Sequence, residues 1–292
     1  MGVTRKGILL AAGANTRLYP ATLAAAKSLL PVYDKPLAYY SLSLLMLARI
    51  REILIITAPH FLEAHRRLLG GGEKWGMQIS YLPQEKSRGI ADAFLIGKDF
   101  IGGAPCALSL ADNIFYGGGL SAALQKAARQ KTGATVFACQ VRDPQRFGVV
   151  EFDEKGGALS LEEKPENPKS SFAVTGCYFY DGAAGEIAAG LSPSARGELE
   201  ITDVNRAYLQ RGELRVETFG RGMAWFDSGT PDSLAAASDF VRTVQTRQKI
   251  IIASPEEIAW RNGWINKSDL RRLAASLGQT EYARYLQTLA KE

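Results

Sequence analysis

The chain is poor in the side chains that act as nucleophiles or proton shuttles. Its 292 residues include only two histidines, His60 and His65, close together in one polar stretch. The three cysteines, Cys106, Cys139 and Cys177, are widely spaced and odd in number, each in apolar surroundings. They read as buried thiols in a reducing compartment, not as a disulfide framework. No spacing among these histidines and cysteines fits a zinc site, so neither metal chemistry of that kind nor a histidine acid–base mechanism is expected. No apolar run reaches about 18 residues and the N-terminus lacks a signal-peptide pattern, so the expectation is a cytoplasmic protein with no membrane partner. There is no run of Lys and Arg. The formal charge of +5 is too mild for a nucleic-acid footprint, although it suits a small anionic substrate.

What is present is the composition of a globular enzyme, long enough for one large α/β domain or two fused ones, with no linker, repeat or low-complexity segment. Gly7–Ala11, Glu52–Thr57, Gln78–Leu82 and Ala104–Leu110 read as strands. Tyr39–Ala48, Phe61–Leu69, Ile90–Gly97 and Leu120–Arg129 read as the helices between them. This alternation argues for a parallel sheet with helices on both faces. Ligands in such sheets bind beyond the carboxyl ends of the strands, and the loops Ala12–Arg17, Gln84–Gly89 and Ala111–Asn113 all belong to that edge. From Ala134 the pattern changes to closely spaced strands, Ala134–Val141, Phe147–Phe152, Leu159–Glu162 and Phe172–Tyr180, which suggest a mixed sheet laid over the first. A helix over Glu200–Arg211 and a strand over Leu214–Phe219 follow. Thr230-Pro231-Asp232 is a capped helix start with a core stripe of Leu234, Ala237, Val241 and Val244. From Glu256 on the chain is helical.

The stretch Lys6–Pro36 carries the first chemical signal. A short buried strand leads into the small-residue turn Ala12-Gly13-Ala14-Asn15, then Thr16 and Arg17, with Lys27 ten residues on. Successive N–H groups in such a turn form an anion site, Arg adds a fork and Lys a point charge. A plain strand-to-helix turn with solvated cations fits the same residues. Asp112 and Asp227 each stand where an apolar segment meets a loop. Brought together, two such carboxylates would hold Mg2+; apart, each would cap its own loop.

The segments Ala12–Arg17 and Leu30-Pro31-Val32-Tyr33-Asp34-Lys35-Pro36 resemble the sugar nucleotidyltransferases, the glucose-1-phosphate thymidylyltransferases in particular, and the resemblance runs from Lys6 to about Leu289. It implies a Rossmann-like fold: a mixed, mostly parallel central sheet flanked by helices, a smaller sheet over the sugar site and a helical C-terminal tail. It also implies a core over 1–249, with a nucleotide half to about 133 and a sugar-phosphate half over 134–249, and a helical extension over 250–292. The implied reaction is Mg2+-dependent transfer of a thymidylyl group from dTTP to glucose 1-phosphate in a homotetramer. Asp112 and Asp227 would hold the metal, and with Arg17, Lys27 and Lys164 form the catalytic set. The nucleotide would lie on Leu10, Ala12, Gly13, Ala14, Asn15, Thr16, Arg17 and Lys27, with Gln84 and Gly89 reading the base. The sugar phosphate would lie on Asn113, Gly148, Glu163, Lys164, Val174, Thr175, Gly176 and Arg196. Arg221, Glu257 and Arg261 would belong to a regulatory nucleotide site.

The chain departs from that pattern in places. Ala12-Gly13-Ala14-Asn15 is less glycine-rich than the usual Gly-Gly-x-Gly, although Asn is the best non-glycine residue for a left-handed backbone. Ser28 and Asp92 stand where the thymidylyltransferases usually have Gln, and Ala111 replaces a Gly before Asp112. These changes bear on nucleotide preference more than on reaction class. They leave open a nucleotidyltransferase using UTP or another hexose 1-phosphate, and a non-catalytic sugar-nucleotide-binding regulator.

Overall fold

The computed structural model describes residues 4–13 and 16–292. Along the first part of the chain run β1 (Lys6–Ala11), the hairpin β2 (Pro31–Val32) and β3 (Lys35–Pro36), α1 (Leu37–Leu47), β4 (Glu52–Thr57), α2 (Leu62–Leu69) and β5 (Gln78–Pro83). Next come α3 (Asp92–Ile96), α4 (Lys98–Ile101), β6 (Cys106–Leu110), β7 (Asn113–Tyr116) and α5 (Leu120–Arg129). Then follow β8 (Ala134–Gln140), β9 (Gly148–Phe152), β10 (Ala158–Glu163), β11 (Phe172–Tyr180), α6 (Ala184–Ala189), α7 (Ile201–Gln210), β12 (Leu214–Thr218) and β13 (Ala224–Asp227). The chain ends in α8 (Pro231–Gln248), α9 (Pro255–Arg261), α10 (Lys267–Ser276) and α11 (Glu281–Leu289).

Strands β5, β4, β1 and β6 lie side by side and parallel. Their continuous apolar sequences serve two buried faces, as a helix-covered sheet requires. Alternation sends Leu9, Ile53 and Ile55 to a core with α1, α5 and α9, and Ile8, Leu54 and Ile56 to a core with α3, α6 and α7. The stripe on α8 meets Val32, Tyr40 and Ile114 in a third cluster.

The strands after Ala134 do not form a second layer. They extend the first sheet, because β11 pairs antiparallel with β6 along one edge and with β8 along the other, giving one nine-stranded sheet. The reason lies in β11, whose second half, Cys177–Tyr180, is buried on both faces and so takes a central place. Its first half runs past the end of β6, and there Ala173 pairs with Val149 of β9. The β8 ladder shifts register between Val174 and Tyr178. The edge of β11 is thus open between β6 and β9, at the carboxyl ends of the parallel strands. A small separate sheet does exist, but it is β7 with β13, paired so that Asp227 stands opposite Asn113.

The C-terminal helices are tied to the core by a buried carboxylate. Glu256 on α9 accepts from Trp75 Nε1 at 3.1 Å and from Tyr282 Oη at 2.6 Å, and both Glu256 and Trp75 are buried. We expect Trp75→Phe to leave that carboxylate one donor short and to lower stability by about 1–3 kcal/mol. Urea unfolding should show a lower midpoint at unchanged slope; an unchanged midpoint would remove Glu256 as the anchor.

Candidate active site

Lys27 begins a short 3-10 turn and is only 5% exposed. Its Nζ lies 2.6 Å from Asp112 Oδ2 and 3.9 Å from Asp227 Oδ1. The two aspartates, far apart in sequence, therefore converge on one ammonium group. The pairing of β7 with β13 brings them there, and Ser228 N donates to the Asp112 carbonyl at 3.1 Å. Asn113 organises the junction. Its Nδ2 donates to Asp112 Oδ1 at 2.6 Å, while its Oδ1 accepts from Gly176 N at 3.1 Å and from Trp225 Nε1 at 2.6 Å. A Cβ on Gly176 would stand 2.7 Å from the Asn113 amide, so only glycine fits there.

The carboxylates differ in charge environment. Burial pushes Asp112 up, but the Lys27 charge and the hydrogen bonds from Lys27 and Asn113 together bring it below the usual range. For Asp227, burial and the neighbouring Asp112 charge outweigh Lys27, Arg17 and Arg146, and its carboxyl is held above the usual range. Arg146 Nη2 lies 3.5 Å from Asp227 Oδ2.

Two cavities meet at Asp112. One, of about 170 Å³, is lined by Leu10, Gly13, Lys27, Ser28 and Ala111. The other, of about 180 Å³, is lined by Arg17, Asn113, Gly148, Glu163, Lys164, Val174, Gly176 and Asp227. Asp112, Ile90 and Leu110 border both. Of the expected nucleotide residues, Leu10, Gly13 and Lys27 line the first cavity and Arg17 the second; of the expected sugar-phosphate residues, all but Thr175 and Arg196 line the second. Lys164 holds a left-handed backbone at φ 44°, its N–H bonded to Phe147 O at 3.0 Å, a strained conformation of the kind found at functional sites.

Other expected residues are placed differently. Ala12 is buried beside the loop and Thr16 is exposed at the start of a 3-10 turn; Ala14 and Asn15 lie outside the described residues. Thr175 turns into the sheet and donates to Phe137 O at 3.1 Å where the β8 ladder slips. Gly89, at φ 100°, packs against the Leu199 backbone, 2.4 Å from where a Cβ would stand. Arg196 is an ion-paired cation, with Nη2 2.8 Å from Glu200, 3.0 Å from Glu198 and 3.5 Å from Glu163. Gln84 is buried and donates to Asp92 Oδ2 at 2.8 Å. Arg261 donates to Glu257 at 2.6 Å, and Tyr285 donates to the same glutamate. Arg221 lies in the turn between β12 and β13 and shares no hydrogen bond or ion pair with them among the described residues.

Sequence reading missed Arg146, Trp225, Thr202 and His65. Thr202 Oγ1 donates to Glu163 Oε2 at 2.5 Å. His65 is fully buried, not in a polar stretch. Its ring stands 2.8 Å from Ser28 Oγ and 2.9 Å from Phe61 O, and burial pulls its pKa down. Trp225, two residues before Asp227, carried a weak signal; the others carried none.

The donor set fits a divalent cation. Asp112 and Asp227 supply hard oxygens, and Gly229 leaves room for Asp227 Oδ1 and Arg17 Nη2 at 3.0 and 2.9 Å from where a Cβ would be. Among the described residues no group of three or more His, Cys, Asp or Glu forms a metal site. Substrate oxygens and water would complete the shell, as Mg2+ prefers.

The nucleotidyl transferase family model matches residues 6–244. Curated glucose-1-phosphate thymidylyltransferases are close in sequence: that of Xanthomonas campestris pv. campestris (strain B100) is 54% identical over 98% of this chain and 97% of its own. That of Neisseria meningitidis serogroup A is 55% identical over 98% and 100%. The chain belongs to the glucose-1-phosphate thymidylyltransferase family. A crystal structure described as a Bacillus anthracis member, in complex with a sucrose, superimposes with a TM-score of 0.76 at 40% identity, over 82% of this chain and 96% of that one. A UDP-glucose pyrophosphorylase with bound UDP-glucose gives 0.71 at 26%, over 82% and 99%.

Because Asp227 is destabilised as an anion, we expect Asp227→Asn to raise the melting temperature of the substrate-free protein near neutral pH while turnover is lost. A carboxyl whose folded pKa is raised takes stability away as pH climbs through that pKa. The difference between variant and wild type should therefore close at acid pH, where Asp227 is protonated. A variant that melts lower at pH 7 would show that the pair is not under repulsion.

Proposed function

We propose that this chain transfers a thymidylyl group from dTTP to α-D-glucose 1-phosphate, giving dTDP-glucose and pyrophosphate, the first step of dTDP-sugar (dTDP-rhamnose type) biosynthesis. One observation carries the reading: two cavities share the wall at Asp112, where Asp227 and Lys27 converge. A triphosphate on the Gly13–Lys27 side and a sugar phosphate on the Glu163–Lys164 side would meet there. The names of the relatives at 54 and 55% identity support the substrates.

The attacking group is a phosphate oxygen, ionised near neutral pH, so no protein base is required. That agrees with a buried His65 and with thiols pushed up to about 12 by burial. The protein's work is positioning and charge cancellation. Lys27 holds the triphosphate and then the leaving pyrophosphate, Arg17 reaches the same phosphates from the wall of the sugar cavity, and Lys164 holds the incoming sugar phosphate. Glu163, fixed by Thr202, accepts hydrogen bonds from sugar hydroxyls. Arg196 shapes Glu163 through its ion pairs and reaches phosphate only by exchanging partners. The sugar cavity has as many fixed positive side chains, Arg17, Arg146 and Lys164, as negative ones, Asp112, Glu163 and Asp227. Mg2+ on Asp112 and Asp227 would supply the positive charge that two polyanions need and would stabilise charge developing on the α-phosphate. We further propose a cytoplasmic homotetramer, on family likeness.

With dTTP, glucose 1-phosphate and Mg2+, pyrophosphate release should be seen and should stop on chelation. Asp112→Asn and Lys164→Ala should each lower kcat by about 10²–10⁴ while far-UV circular dichroism stays unchanged. Near-wild-type rates in both would refute the assignment.

A further inference from the structure

Resting on the proposed function, the geometry points to Asp92 as the residue that sets base preference, by fixing which end of the Gln84 amide is left for the base. Both atoms of the Asp92 carboxylate are engaged: Oδ2 accepts from Gln84 Nε2 at 2.8 Å, and Oδ1 accepts from Arg88 Nη2 at 2.6 Å. Asp92 is 1% exposed and Gln84 is 5% exposed, so water hardly competes for the bond between them, while the Arg88 side chain reaches in from the exposed side. An ionised carboxylate only accepts. Gln84 must therefore turn its NH2 group to Asp92, and the direction of the amide follows from the chemistry of its partner. The Gln84 carbonyl oxygen accepts no hydrogen bond among the described residues, and it is not among the fully buried side-chain atoms that lack a partner.

The pair stands beside the nucleotide cavity. Gln84 N donates to Thr57 O at 2.8 Å at the end of β4, where Thr57 is in register with Ala11. Ala11 and Ile90, the latter two residues before Asp92, both line the cavity. A nucleobase meeting Gln84 there must offer a donor to its carbonyl oxygen. The imide N–H of thymine or uracil does so at the ring nitrogen; the same ring nitrogen of cytosine is an acceptor, and cytosine could donate only from its exocyclic amine, at a different point on its edge. A glutamine at position 92 could donate or accept and would not dictate the direction of Gln84 in this way. Asp92 with Arg88 is thus a positioning pair. It acts through Gln84 and favours imide pyrimidines, dTTP and UTP alike, over dCTP.

The test is kcat/KM for dTTP, UTP, dCTP and N3-methyl-dTTP, each with glucose 1-phosphate and Mg2+, in wild type and in Asp92→Asn. The Asn amide both donates and accepts, so Gln84 can reverse. We expect the variant to lose at least about tenfold of its preference for dTTP over dCTP, through KM for the nucleotide. Its kcat, and its KM for glucose 1-phosphate, should stay within about twofold. An unchanged dTTP-to-dCTP ratio, or a loss confined to kcat, overturns the inference. Should the variant fail to fold, the wild type decides: use of N3-methyl-dTTP within about tenfold of dTTP overturns it, and rejection supports it. Wild-type protein that turns over no dTTP at all overturns the proposed function instead.

Discussion

Two carboxylates and a lysine share one small, partly buried space, and the rest of the site follows from that. Unit charges about 4 Å apart near a protein surface interact by roughly 4 kcal/mol. Asp112 and Asp227 together without Lys27 would therefore be a heavy burden on a marginally stable chain. Lys27 relieves it unequally, at 2.6 Å from one carboxylate and 3.9 Å from the other. Asn113 adds a second donor to Asp112 alone. One aspartate is thereby settled as an anion, while the other is held in a state that a further cation would relieve. The stress is local and stored where charge is to be received.

The sheet supplies the room for this. In a wholly parallel sheet the edge beyond β6 would be continued by another parallel strand with its own loop. Here β11 arrives antiparallel and overshoots β6, and its far half is taken up by β9. The interval at Gly176 is filled from the side by Asn113, not by a strand. The break in the ladder thus becomes part of the wall of the sugar-side cavity, and the residue that mends it also orients a carboxylate. This couples folding to the site: Gly176 and Asn113 hold the sheet and the chemistry with the same hydrogen bonds.

Much of this was legible in the sequence, for identifiable reasons. Alternating apolar runs revealed the parallel half because β1 and β4 are buried on both faces and have no polar face to confuse the period. The rule that ligands bind at carboxyl ends gathered the loops at Gly13 and Asp112 before any geometry was known. The convergence of Asp112 with Asp227 was legible only through family resemblance. The strand that delivers Asp227 is four residues long, pairs with another equally short, and neither has a period that a sequence can declare. The placement of the second-half strands in the first sheet was hidden for the opposite reason: β11 is buried along nearly its whole length and carries no mark of which neighbour it takes. Arg196, Thr175 and Gln84 show a third limit. Family resemblance suggested ligand contacts; the fold gives each a protein partner that the sequence could not show.

Those partners define what substrate binding has to be. Lys27 is bonded to Asp112, Arg146 to Asp143, and Arg196 to Glu200, while Lys164 lies 3.7 Å from Glu163. None of these cations waits bare for phosphate, since a naked cluster of like charges would repel itself and loosen the fold. On the proposed function, a phosphate entering the cleft would exchange one anionic partner for another, and little net charge would be gained by the exchange itself. Selectivity must then come from geometry: the fork of Arg146, the left-handed Lys164 and the wall at Gly176 admit groups of one shape. Such a cleft attracts anions weakly at a distance and grips them strongly in place, which suits an enzyme whose two substrates must each be held yet whose product must leave.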